Sequence, residues 1–103
     1  MSEVLIAGKA VQVNEEGYLT DMGQWDEAVA CEIAEELNIV LGPKHMEVIH
    51  YLREQCQTGK TLNIRRIGKS GVVDIKSFYK LFPGGPLKNA SKIAGIPKPA
   101  SCI

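Results

Sequence analysis

The side chains in this 103-residue sequence best suited to covalent chemistry are its three cysteines, Cys31, Cys56 and Cys102. Their spacing makes no CxxC pair and no four-ligand metal set, so neither a metal nor any other cofactor is expected. An odd number leaves at least one thiol free if all bridging is internal, which suits a reducing compartment. Cys102 stands apart from the other two. It follows Gly95-Ile96-Pro97-Lys98-Pro99-Ala100-Ser101, and two prolines at i and i+2 forbid a helix and favour extended chain. Eight residues at about 3.1 Å each give an arm of roughly 25 Å. The thiolate is the reactive form of cysteine, and one near the tip of a slim arm can enter a partner's pocket and leave again. Lys98 on the arm, with Lys92, Arg65 and Lys69, would favour that anion.

The remaining candidates read more plainly. Cys56 falls on an apolar helix face and is expected as a small core hydrophobe. Cys31 falls away from its helix's apolar stripe and is expected at the surface or buried by another element. His45 is expected as a hydrogen-bonded structural histidine. There is no phosphate loop and no enclosed acid–base pair, so an independent turnover enzyme is disfavoured.

The net charge of zero conceals a separation. Residues 1–56 hold eleven of the twelve acids and only Lys9, Lys44 and Arg53 as bases. Residues 57–103 hold nine bases against Asp74 alone, so the halves carry −8 and +8. A basic half of this kind suits nucleic acid, an acidic protein surface, or an anion of the protein's own. No run approaches the length of a membrane helix, and the start of the chain lacks a basic n-region, so a cytoplasmic protein is expected.

The elements that must position these groups follow from periodicity. Val4–Val13 predicts two short strands around a glycine turn, with Tyr18-Leu19 as a third, giving a small antiparallel meander. Trp25, Val29, Ile33 and Leu37 recur every four residues and predict an amphipathic helix from Trp25. Gly42-Pro43 opens a central helix whose inner face carries His45, Val48, Ile49, Leu52 and Cys56, with His50 opposite. Ile64 and Ile67 predict a short helix. Asp74 caps another, through Phe82. Pro83-Gly84-Gly85-Pro86 breaks the chain before a last helix with Leu87, Ala90 and Ala94 on one stripe, stopped by Gly95. The fold class is therefore α+β: a small N-terminal meander against about five helices. Residues 1–94 form one domain, and residues 95–103 form a mobile arm.

The tail Lys92-Ile93-Ala94-Gly95-Ile96-Pro97-Lys98-Pro99-Ala100-Ser101-Cys102-Ile103 resembles the C-terminus of the DsrC/TusE sulfur-relay family, which closes in a KxAGxPKPxxC(V/I) arm. Leu81-Phe82-Pro83-Gly84-Gly85-Pro86 resembles that family's LFPxGP turn. Glu15-Glu16-Gly17-Tyr18-Leu19 before Trp25 resembles its EEGYL…W segment, and Tyr51-Leu52-Arg53-Glu54 its central YLRE. The matches run in order over nearly the whole chain.

The resemblance implies that Cys102 accepts and passes on sulfur as a persulfide, with Arg65, Lys69, Lys92 and Lys98 supporting the anion. It implies sulfur-donor and sulfur-acceptor proteins as partners, in TusBCD-like or sulfite-reductase-like complexes, and a tRNA-modifying enzyme as a possible client. DsrC proteins of dissimilatory sulfur metabolism use a second cysteine in the last helix. The matching position here is Ser91, which points to single-cysteine TusE-like relay, as in tRNA 2-thiouridine synthesis. A DsrC-like partner of dissimilatory sulfite reductase is the alternative. A helix-turn-helix regulator built on Ile64–Lys69 and Asp74–Phe82 is a second, but it leaves the terminal cysteine unexplained.

Overall fold

The computed structural model describes residues 2–60 and 62–97. Strands β1 (Ser2–Ile6) and β2 (Lys9–Val13) pair antiparallel, with Val4 opposite Val11. The turn between them uses Ala7 and Gly8 at φ 52° and 79°. Ile6, Val11 and Val13 are buried, while Leu5 points outward. The expected third strand is a single bridge, Val13 to Leu19. After Leu19 the chain turns at Asp21 into a 3₁₀ turn instead of running on beside β2, so among the described residues the sheet has two strands rather than three.

Five α-helices follow among the described residues. Helix α1 spans Glu27–Glu36, α2 Pro43–Gln57, α3 Ile64–Lys69, α4 Ile75–Leu81 and α5 Pro86–Ile93. The first starts later than the spacing predicts. Asp26 caps it, its carboxylate accepting the Val29 N–H at 2.9 Å, so Trp25 lies outside the helix and closes a 3₁₀ turn over Met22–Gln24. Helix α2 is the central element, with Pro43 in its first turn and Val48, Ile49 and Leu52 fully buried.

His45 ties α2 to α4 and is structural, as its position on the apolar face suggests. Its Nδ1 accepts the Gly42 N–H at 3.1 Å, which leaves Nε2 to donate to the Leu81 carbonyl at 3.0 Å. The ring meets Phe82 edge-on at 5.3 Å, and Phe82 meets Phe78 at 5.6 Å. These aromatics and the buried faces of α1, α2 and α5 make one core.

Two caps carry a pH signature. The Lys9 side chain, and then the Val29 N–H, hold the Asp26 carboxyl below its ordinary value. The Ser77 N–H and hydroxyl do the same for Asp74. Both carboxyls release their protons more readily folded than unfolded. Their contribution to stability is fully present above the unfolded value, about 3.9, and is lost as pH falls through the lowered folded values. An Asp26→Asn, Asp74→Asn double variant should therefore lose less stability than the parent between about pH 6 and about pH 3. Urea titrations followed by circular dichroism would check this; parallel losses in the two proteins would refute it.

Candidate functional site

The site that can be built from described residues is the root of the C-terminal arm. A helix ends with carbonyls that have no partner inside it, and here two side chains from remote elements supply the donors. Trp25 Nε1 donates to the Ile93 carbonyl at 2.7 Å, across 68 residues of chain. Arg53 Nη1 donates to the Ala94 carbonyl at 2.7 Å, and Nη2 to the Met22 carbonyl at 3.1 Å. The Arg53 guanidinium also lies 4.2 Å from the Trp25 ring centroid, in cation–π contact. Its burial pushes its pKa down from the ordinary arginine value, yet arginine remains charged at neutral pH. His50 adds an edge-on contact to Trp25 at 5.9 Å.

The backbone closes the helix in a Schellman motif. The Gly95 N–H donates to the Lys92 carbonyl and the Ile96 N–H to the Ser91 carbonyl, both at 3.2 Å. Gly95 sits at φ 66°, and a Cβ there would lie 2.4 Å from Trp25 Cδ1. Only glycine meets both the left-handed backbone and that approach. Ile96 is fully buried and Pro97 is exposed, so the described chain leaves the core from a fixed point.

Cys102 and Lys98 lie outside the described residues. Cys31 is exposed, which decides between the two placements left open for it, and Cys56 is half-buried against the core, as its helical position predicts. Ser91 is fully buried on α5, and its Oγ has no hydrogen-bond partner among the described residues. Arg65 and Lys69 are exposed on α3. Lys92 is half-buried and extends over the Tyr18 ring, with Nζ 5.4 Å from its centroid. Among the described residues no hydrogen bond or ion pair joins Arg65 or Lys69 to Lys92. The structure instead brings together Trp25 and Arg53, a pairing that helical periodicity does not reveal. Among the described residues no three His, Cys, Asp or Glu side chains gather as a metal site. No described helix is long and apolar enough to cross a membrane.

Residues 5–103 match the family model described as DsrC like protein. This chain belongs to the DsrC-like family. The sulfurtransferase TusE of Escherichia coli K12 is 37% identical over 108 residues, covering 97% of this chain and 99% of the relative. The oxidized gamma-subunit of the dissimilatory sulfite reductase (DsrC) from Archaeoglobus fulgidus superposes with a TM-score of 0.80 at 34% identity, covering 99% of this chain and 100% of that one. The DsrC/gamma subunit from Pyrobaculum aerophilum gives 0.80 at 35%, covering 99% and 95%. These α+β neighbours agree with the fold described above.

The clamp makes a stability prediction for this DsrC-like chain. Gly95→Ala forces both a left-handed alanine and a collision with Trp25, and should cost about 2–4 kcal/mol. Arg53→Gln removes a charged donor to buried carbonyls and should cost about 2 kcal/mol. Chemical denaturation would measure both, and a cost below about 0.5 kcal/mol for either would show that the clamp does not hold the arm's root.

Proposed function

We propose that this chain is a sulfur carrier that accepts sulfur on Cys102 and hands it to a partner protein, in the manner of a TusE-like relay. The match of residues 5–103 to the family, with sulfurtransferase relatives covering 97% of the chain, is the observation that carries this reading. The Cys102 thiolate attacks the outer sulfur of a donor persulfide. The donor's S–S bond breaks, its thiolate leaves, and Cys102 holds the persulfide. An acceptor then takes the outer sulfur and Cys102 returns to thiolate, so no external oxidant or reductant is consumed. The arm, residues 95–103, brings that sulfur into a partner's pocket. Lys98, four residues before Cys102, stabilises the anion, and Arg65, Lys69 and Lys92 add to the positive field of this half. The donor is a TusBCD-like protein and the client is a tRNA-modifying enzyme.

Ser91 favours this reading over one built on an internal redox couple. DsrC-type action beside a sulfite reductase is the second reading, motivated by the gamma-subunit structures the chain resembles. A serine offers no sulfur to bridge, so Cys102 has no internal couple with α5.

Incubation with a cysteine desulfurase and its substrate should add about 32 Da per sulfur atom at Cys102, mapped by peptide mass spectrometry. Cys102→Ser should abolish the addition, and Cys31→Ser and Cys56→Ser should leave it. Uptake on Cys31 or Cys56 with Cys102 unmodified would refute the assignment.

A second test concerns position 91. Its hydroxyl is buried without a partner among the described residues, an arrangement that costs about 1–3 kcal/mol, whereas a thiol tolerates apolar burial. Ser91→Cys should therefore be neutral or raise Tm by a few degrees (about 4–8 °C per kcal/mol). On mild oxidation the variant should form a bond to Cys102 within one chain, seen as a monomer lighter by two hydrogens. Dimers alone, or a persistent dithiol, would show that the arm does not reach α5.

A further inference from the structure

The charge separation read from the sequence becomes a surface on α3 and α4. Arg65, Arg66 and Lys69 are all exposed, and at 100° per residue they share one arc of α3. On α4 the same construction places Ile75, Tyr79, Lys76 and Lys80 on one arc, and all four are exposed. Ile75 is 45% exposed and Tyr79 47%. Asp74, the sole acid in this half, has its carboxylate occupied by the Ser77 N–H at 2.7 Å. The opposite arcs are anchored, Ile67 and Phe78 being fully buried. The two helices are in close contact, since a Cβ on Gly68 would lie 2.5 Å from Ile75 Cγ1. The backbone of this surface is therefore preformed, and ordering on binding is confined to its side chains.

We propose that the α3–α4 face is a docking surface for an acidic protein partner, namely the protein that exchanges sulfur with Cys102; in that respect it rests on the sulfur-carrier reading. Five exposed cations stand against one carboxylate, Asp74, whose charge reaches Lys76 and Lys80, and the net positive face that remains suits an acidic complement. Ile75 and Tyr79, i and i+4 on the same arc beside Lys76 and Lys80, decide the class of partner. An apolar and aromatic centre rimmed by charge is the composition of protein interfaces, whereas a phosphate backbone offers nothing to bury Ile75. In this role Arg65 and Lys69 act in partner capture, and the cations accelerate encounter as well as holding the complex.

The test uses the full chain with p-benzoylphenylalanine at position 79, and at position 40 as a control, because Val40 is 88% exposed on the acidic half. Cross-linking in cells should trap, from position 79 but not from 40, the protein that also forms a mixed disulfide with Cys102, through an acid-rich peptide. An Arg66→Glu, Lys76→Glu, Lys80→Glu variant should then pass sulfur to that protein at least about tenfold more slowly at low salt. The gap should close as salt rises. Loading of Cys102 by a low-molecular-weight persulfide should be unchanged. Cross-links to RNA, to a second copy of this chain, or equally from position 40 would overturn the proposal. So would a variant that transfers sulfur at the parent's rate. A chain whose Cys102 takes up no sulfur would overturn the carrier reading instead, and docking would then be judged by the acidity and salt dependence of the position-79 cross-link.

Discussion

The packing of the described C-terminal residues depends on how the end of α5 is closed. The carbonyls of Ile93 and Ala94 face away from their own helix, and the donors that meet them come from a 3₁₀ turn and from the middle of α2. Arg53 spans both, since it also takes the Met22 carbonyl and stacks on Trp25. Three segments far apart in sequence thereby meet at one point. Gly95 completes the join, because its missing side chain lets the backbone pass within contact of the indole. A charge-assisted bond to a half-buried carbonyl is stronger than a neutral one. The described chain is thus fixed at the end of α5, up to the fully buried Ile96.

How much of this the sequence discloses depends on the range of the interaction. Local rules work well. Asp74 caps α4, Pro43 and Pro86 open α2 and α5, and Gly95 ends the last helix where its neighbours require a left-handed residue. The burial of Val48, Ile49 and Leu52 follows from their spacing alone. Trp25 shows where periodicity misleads. It stands four residues before Val29 and so extends the stripe on paper, yet Asp26 accepts the Val29 N–H and starts the helix after it. The indole is then free to serve a helix 68 residues away. No spacing encodes that pairing. The same holds for Arg53, which sits in a quoted family segment but whose partners appear only once the chain is folded. Tyr18-Leu19 fails for a smaller reason: a short apolar pair after a tight turn can bridge without forming a ladder.

The candidate site divides along the same line. Cys102 is legible because proline chemistry and a tail motif single it out, and both are local. The grouping of Arg65, Lys69 and Lys92 rests on net charge, which says nothing about direction. In the fold Lys92 turns to the Tyr18 ring, while Arg65 and Lys69 face solvent on α3. Charge counting finds the sign of a surface, and only packing decides which members of the count share it.

Ser91 joins the chemistry to the fold. A hydroxyl buried without a partner is a net cost to folding, and alanine at the same place would remove it. The position is therefore not tuned for stability by a polar residue. With serine at position 91, α5 offers Cys102 no sulfur to bridge. A carrier without that internal couple depends on encounter with a partner rather than on closure against its own last helix. A carrier of that kind gains from a fixed launching point for its arm, which the Trp25–Arg53 clamp supplies, and from a surface that orients the partner before the arm engages.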